Sequence, residues 1–261
     1  MSNVMPVIFD ETPWEERNLG LKSFALNEAC LARLDQQLLA QELDCLQQSF
    51  GKFFVFARLP KTFLHLVPCL QQCGFYLVEG AVCPVIQLHK SAVLQAFDED
   101  RSQFVPNRFR HNNIRFITLD NRRNETVETV SAIARESFSS DRFHVDFQCP
   151  EELANRRFEL WICDLLQHED VIFDIVEVNG EAAGFMARKN NHLIIAGFSR
   201  KYVRAGLGDY LWLGSLQHMR DNGLRYAETL VSTNNIPSLN LHARLGFKFR
   251  NPQYSFHLWQ Q

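Results

Sequence analysis

At 261 residues, with 46% hydrophobic and 22% charged side chains, the chain is long enough for one large domain or two small ones and has an ordinary globular composition. A net charge of -3 provides no concentrated Lys/Arg footprint for DNA or RNA, and no apolar run approaches the roughly 18 residues of a membrane span. Met1 to Trp14 mixes acids and prolines without a basic-then-apolar leader, so a cytoplasmic protein is expected, with no nucleic-acid or membrane partner.

In chain order, Leu31–Phe50 is predicted as an amphipathic helix through Leu34, Leu38, Leu39, Leu43 and Leu46. Lys52–Leu59 is a compact apolar strand, and Lys61–Cys73 a helix that Gly74 can stop in a left-handed conformation. Phe75–Val78 and Val82–Leu88 follow as two strands. The polar stretch Asp98–Asn113, with Pro106 and no periodicity, reads as a linker or long connection. It divides the chain into a smaller α/β domain, 1–105, and a larger one, 106–261. In the second, Ile114–Leu119 is a strand and Glu125–Phe138 and Glu151–Gln167 are helices. Val171–Val178 and Ala182–Arg188 form a hairpin through Asn179-Gly180, because both turn residues accept positive φ. His192–Ser199 is a strand, Gly208–Asp221 a helix, Tyr226–Ser232 a strand and Ile236–Leu245 a helix ending at Gly246. Phe247–Phe249 and Tyr254–Trp259 close the chain, the last read as a sheet edge able to pair in a homodimer. Lys52–Leu88 repeats the order strand, helix, Gly-Phe, strand, strand found from Arg225 to Trp259, and QQCGFYL lies over ARLGFKF, as in a degenerate internal duplicate.

The seven cysteines are irregularly spaced and include no CxxC pair, which points to reduced, mostly buried thiols and away from a zinc site. The histidines are scattered, so no metal is expected, and no G-x-S-x-G marks a serine hydrolase. The sharpest local signal is Val203-Arg204-Ala205-Gly206-Leu207-Gly208, between a strand and a helix that begins with Gly208 and Asp209. Such a turn aims several main-chain N–H groups and the positive end of the helix dipole at one point, where a diphosphate would be held. Gly206 and Gly208 keep Cβ atoms out of the way. The spacing is neither that of a Rossmann fingerprint nor that of a P-loop.

The element order, the Asn-Gly hairpin, VRAGLG, and the run from Asn235 to His242 followed by Gly246-Phe247 together resemble the GCN5-related N-acetyltransferases over roughly Ile114–Trp259. Two departures stand out: Val203 replaces the usual Gln or Arg, with Arg204 one place later, and His242 replaces a Tyr. The resemblance implies a splayed, mostly antiparallel α/β sheet flanked by helices, with acyl-CoA as co-substrate. Its diphosphate would lie on the amides of Val203, Arg204, Ala205, Gly206, Leu207, Gly208 and Asp209. Its pantetheine arm would run along the main chain of Ala196 and Phe198 and contact Asn235. His242 would protonate the leaving thiolate, whose conjugate acid has a pKa of about 8.5.

PWEERNLGLKSF, LQQCGFYLVEGAV and FSSDRFHVD are further similar to sugar-nucleotide N-acyltransferases such as TDP-fucosamine acetyltransferase. That likeness implies an acceptor amine on a dTDP-linked deoxysugar, as in O-antigen biosynthesis, and an acetyl or 3-hydroxybutyryl donor. Asp141, Arg142 and His144 would meet hydroxyls or a diphosphate, Phe138 and Phe143 would offer stacking faces, and Trp14 and Arg17 would line the cleft between halves. The residues alone leave alternatives open. The FSSDRFHVD segment also reads as a solvated connection anchored by two phenylalanines. The whole chain also reads as a peptide or small-amine acetyltransferase, or as a CoA-binding module without turnover. The general base is unassigned, with His144 a candidate.

Overall fold

The computed structural model describes residues 8–119, 124–137 and 141–260. The chain starts with a unit that lacks a clear periodic signal: β1 (Phe9–Glu11), α1 (Pro13–Leu19) and β2 (Lys22–Leu26). Pro13 sits in the first turn of α1, where its missing N–H is not needed, and Gly20 closes the helix at φ 70°. α2 (Gln36–Phe50) starts later than periodicity predicts. The Asp35 carboxylate accepts the Leu38 N–H at 2.8 Å and fixes the helix start there, while Glu28–Arg33 wind as a 3-10 helix. After β3 (Phe53–Pro60), the helix predicted over 61–73 is split. Lys61–Leu66 form a 3-10 turn, and α3 (Val67–Gln72) begins only where Pro68 can occupy a first turn.

β4 (Tyr76–Gln87) is one continuous strand where two were predicted. The region read as a linker contains α4 (Ala92–Glu99), capped by the Ser91 hydroxyl, and then short 3-10 turns at Arg101–Phe104 and Asn107–Phe109. β5 (Ile114–Leu119), α5 (Asn124–Ser137), α6 (Glu151–Gln167), β6 (Ile172–Val178), β7 (Glu181–Lys189) and β8 (His192–Phe198) follow near their expected bounds. The β6–β7 turn has Asn179 at φ 54° and Gly180 at φ 84°. α7 (Gly208–Asp221), β9 (Tyr226–Glu228), β10 (Val231–Ser232), α8 (Ile236–Arg244) and β11 (Lys248–Gln260) complete the chain, β11 again merging two predicted strands.

The strands form one sheet in the order β1-β2-β3-β11-β4-β9-β8-β7-β6-β5, with β10 also on β4. It is mostly antiparallel; β2–β3 and β8–β9 run parallel. β4 and β11 exchange places between the halves. β4 pairs with β11 from Tyr76 to Val85 and, on its other edge, with β9 through Val85–Gln87. β11 in turn pairs with β4 from Lys248 to His257 and, on its other edge, with β3 through Gln253–Gln260. Tyr254–Trp259 is therefore interior, flanked by β3 and β4. It is not the free edge expected for dimer pairing, because both of its neighbours are strands of the same chain.

Phe53, Val55, Ala57 and Leu59 of β3 and Phe256 and Leu258 of β11 pack under α2. Leu211, Leu213 and Leu216 of α7 fill the core below β6–β8, joined there by Phe97 of α4. The loop between α5 and α6 is tied to the first half: Asp146 accepts from Tyr76 Oη at 2.6 Å, His257 Nδ1 at 2.6 Å and Trp259 Nε1 at 2.8 Å. No helix among the described residues is long and apolar enough to cross a membrane.

Phe256 is 2% exposed and lies on the strand shared by both halves. Phe256→Ala is expected to lower stability by about 3–5 kcal/mol. Urea denaturation followed by circular dichroism should retain a single transition with a lower midpoint; two separated transitions would contradict the coupling of the halves.

Candidate active site

β8 and β9 touch at one register position, His192↔Glu228, and then diverge. Between β8 and residues 229–232 lies a cleft of about 560 Å³, closed at its ends by Val203–Gly208 and by α8. Ser199 donates to the Ala183 carbonyl at 3.0 Å. Strand alternation therefore turns the main chain of Ala196 and Phe198 away from β7 and into the cleft. The Phe198 carbonyl already accepts from Ser137 Oγ at 2.9 Å.

The loop before α7 is built to present amides. Arg204 at φ 57° and Gly206 at φ 85° place left-handed residues in the turn, the geometry of an anion-binding nest. No side chain caps α7, so its first N–H groups and dipole end are open at the cleft. Arg108, from the stretch read as a linker, donates Nε to the Ala205 carbonyl at 2.9 Å and Nη2 to the Arg204 carbonyl at 3.0 Å. These bonds hold the loop carbonyls away from the cleft. A Cβ on Gly206 would meet Pro106 Cγ at 3.0 Å, so the same segment also seats the glycine. Asp209 is bound by Arg244 at 2.5 and 3.0 Å, which offsets its charge beside an anion site. Val203 is 53% exposed at the rim. Nothing local in the sequence marks Arg108 as a brace; only the fold brings it to the loop.

Asp141 reaches the cleft. Burial alone would raise its pKa, but hydrogen bonding from His144 and the Arg157 charge hold it below the usual carboxylate range. His144 is fixed on both sides, Nδ1 to Asp141 at 2.7 Å and Nε2 to Asn155 Oδ1 at 3.0 Å. The Asp141 hydrogen bond raises its pKa, so the ring leans toward the imidazolium and is a poor proton acceptor. Phe143 has no exposed surface and stacks on protein, not on a ligand. Arg142 is buried, with Nη2 on Glu15 Oε1 at 2.7 Å and its guanidinium 4.2 Å from the Phe56 ring. Trp14 is 54% exposed and lies outside the lining of the cleft beside β8. Arg17 pairs with Asp164 at 2.7 and 3.1 Å. Phe138 lies outside the described residues.

Sequence reasoning missed the wall where the two halves meet. Register aligns Glu79 with Ser255 and Ser255 with Arg58 across β4, β11 and β3. Glu79 Oε2 is buried without a hydrogen-bond partner. Burial pushes this carboxyl above its ordinary pKa, opposed by a hydrogen bond with Ser232, a residue of the cleft wall.

Residues 128–247 match the model of the acetyltransferase (GNAT) family. That stretch is a GNAT domain. The spore coat polysaccharide biosynthesis protein SpsD of Bacillus subtilis (strain 168) is 21% identical over 141 residues, which are 51% of this chain and 47% of that protein. The chain thus spans about half the length of this relative. A GCN5-related N-acetyltransferase from Sphaerobacter thermophilus superposes with a TM-score of 0.60 at 14% identity, over 97% of this chain and 76% of that one. A tandem GNAT protein from the clavulanic acid biosynthesis pathway gives 0.59 at 12% identity, over 93% and 76%. At such identities these likenesses establish the fold alone.

Within the GNAT domain, Asn235 caps α8 through Oδ1, which accepts the Ser238 N–H at 3.1 Å. His242 is 1% exposed. Its Nδ1 donates to the Ser238 carbonyl at 2.7 Å, and its Nε2 accepts from Trp212 Nε1 at 3.2 Å. Burial lowers its pKa, so the ring is neutral and both nitrogens are occupied. In this arrangement His242 has no free N–H for a leaving thiolate, and the expected proton donation is not offered. Trp212, Ser238 and His242 form a hydrogen-bonded chain in the cleft wall.

Two measurements check this site. Arg108→Met is expected to weaken CoA binding about tenfold in isothermal titration, from loss of charge-assisted bonds to the loop; unchanged affinity would show that the loop holds its shape unaided. His242→Phe is expected to lower stability by about 1–3 kcal/mol through the two orphaned partners, with turnover changed less than about tenfold. A drop of about 10²–10⁴ would restore the imidazole as a proton donor.

Proposed function

We propose that this protein is a cytoplasmic acyl-CoA-dependent N-acyltransferase that acylates the amino group of a dTDP-linked amino-deoxysugar, with an acetyl or 3-hydroxybutyryl group. The observation that carries the reading is the uncapped start of α7, with its left-handed Arg204 and Gly206, at the mouth of the cleft where β8 and β9 part. These features fit a diphosphate joined to an extended arm. The Val203 and Ala205 amides, expected to join the diphosphate, instead donate to the Ser199 carbonyl at 2.9 Å and the Tyr202 carbonyl at 3.0 Å. The amides of Arg204 and of Gly206 to Asp209 hold the diphosphate, and the exposed main chain of Ala196 and Phe198, with Asn235, takes the arm. Bound acyl-CoA supplies a thioester carbonyl as the electrophile.

The acceptor enters from the wall between the halves. Its sugar-nucleotide character is supported by the motifs in both halves and by the likeness to SpsD, a spore coat polysaccharide biosynthesis protein. Glu79 takes the proton from the amine at Oε2, a buried oxygen without a partner. Asp141 and Arg157 shape the neighbouring rim. We further assign residues 1–105 to a degenerate GNAT-like domain, supported by the reciprocal places of β4 and β11 and by the parallel orders β3-α3-β4 and β9-α8-β11.

A thiol-release assay with acetyl-CoA and 3-hydroxybutyryl-CoA tests the proposal against dTDP-amino sugars, spermidine and peptides. Release with the sugar nucleotides alone is expected. CoA binding with no release on any amine would leave only a binding module. Glu79→Gln should reduce kcat/KM by about 10²–10⁴ without changing CoA affinity. Because the active form is the carboxylate and burial raises its pKa, activity should fall as pH drops through a value above the ordinary 4.5 of a glutamate. An acid limb unchanged in Glu79→Gln would remove the role.

A further inference from the structure

The wall between the halves gathers three guanidinium groups around the carboxylates of Glu15, Asp141 and Glu79. Arg58, Arg142 and Arg157 face it, and guanidinium groups stay cationic at neutral pH. Glu15 and Asp141 are the carboxylates held ionised there, Glu15 because the Arg142 and Arg157 charges outweigh its burial. Burial raises the pKa of Glu79, opposed by its hydrogen bond with Ser232. His144, with its raised pKa, adds to the cationic side.

Two of the guanidinium groups are incompletely used. Arg142 Nη1 is buried with no partner, although the side chain is only 4% exposed. Arg58 has no hydrogen bond or ion pair among the described residues; its guanidinium lies 5.6 Å from the centre of the Phe56 ring. Arg142 lies over the same ring at 4.2 Å. Two like charges are thus gathered at one aromatic ring, and the Arg58 charge disfavours ionisation of Arg142. Packing alone gives no reason to hold such a pair together, whereas an anion between them would use both sets of idle N–H donors. Arg58 is two strands from Glu79, or about 10 Å along the sheet at the usual spacing. An anion at Arg58 and an amine at Glu79 would therefore belong to opposite ends of one small molecule.

We propose that Arg58, with the free Nη1 edge of Arg142, binds a phosphate or diphosphate group of the acceptor. The site is separate from the amides before α7, which serve the diphosphate of CoA. The inference rests on the acyltransferase reading only for the acceptor's identity; anion binding at Arg58 can be measured without turnover.

The probe is inorganic pyrophosphate, titrated into CoA-saturated protein so that the α7 loop is already engaged. Wild type is expected to bind it, and Arg58→Gln to bind about tenfold or more weakly with CoA affinity unchanged. No binding to wild type, or equal binding to the variant, overturns the site. Should Arg58→Gln fail to fold, Arg58→Lys keeps the charge and loses the planar fork; its affinity should fall about threefold or more, and an unchanged value overturns the proposal. In acyl transfer, Arg58→Gln should raise KM for a dTDP-amino sugar about tenfold while KM for the same amino sugar without phosphate stays level. An equal rise for both would make Arg58 a structural residue. Pyrophosphate binding that depends on Arg58, in a protein that acylates no amine, would keep this site and remove the acyltransferase reading.

Discussion

The pairing of β4 with β11 is the constraint on which the rest of the molecule depends. Each strand starts in one half of the sheet and ends in the other, so the ladder between them joins two cores with a single set of backbone hydrogen bonds. The register of that ladder brings Glu79, Ser255 and Arg58 side by side, and a slip of one residue would turn all three to the opposite face. It also anchors the α5–α6 loop, since Asp146 gathers a tyrosine from β4 and a histidine and a tryptophan from β11. The acceptor wall is thus a product of the topology, not of any one segment.

The CoA side is built on a different principle. There the backbone carries the chemistry: left-handed residues turn the loop, an uncapped helix supplies the dipole, and a single parallel contact between β8 and β9 opens the gap. Side chains act by restraint. Arg108 holds two carbonyls, Arg244 neutralises Asp209, and Pro106 bounds Gly206. This explains why Val203, in place of a more common Gln or Arg, is compatible with an intact loop: its side chain points to the rim and takes no part in that restraint.

The second half was largely legible in the sequence because its signals are local. Asn179-Gly180, the glycines of the α7 loop and the run from Asn235 to His242 each act within a few residues, and β5 through α8 fall near their expected bounds. What escaped were relations between distant segments. The runs broken by Glu79-Gly80 and by Asn251-Pro252 read as separate strands, yet each continues as one because β4 and β11 stay paired with each other across both breaks, with a bulge between Arg250 and Gln253. β1, α1 and β2 are too short for periodicity to register, and Arg108 looks like one more charge in a polar connection. At the site, the partners of His242 were not legible from its position. Its place relative to Asn235 suggests a proton donor, while Trp212, some 30 residues away, fills the ring's second nitrogen. Likewise Arg142 and Phe143, attractive as surface groups in FSSDRFHVD, are drawn inward by Glu15 and by the phenylalanines of β3.

The reciprocal crossing of β4 and β11 bears on how such a protein can evolve. In a chain made of two independently closed modules, recombination can graft a new front half onto an old back half. Here each half is completed by a strand the other supplies, so a graft would set mismatched side chains against each other along the seam that joins the two cores. Diversification must then proceed by point changes around the wall and in the α5–α6 loop, with the two halves inherited as a pair.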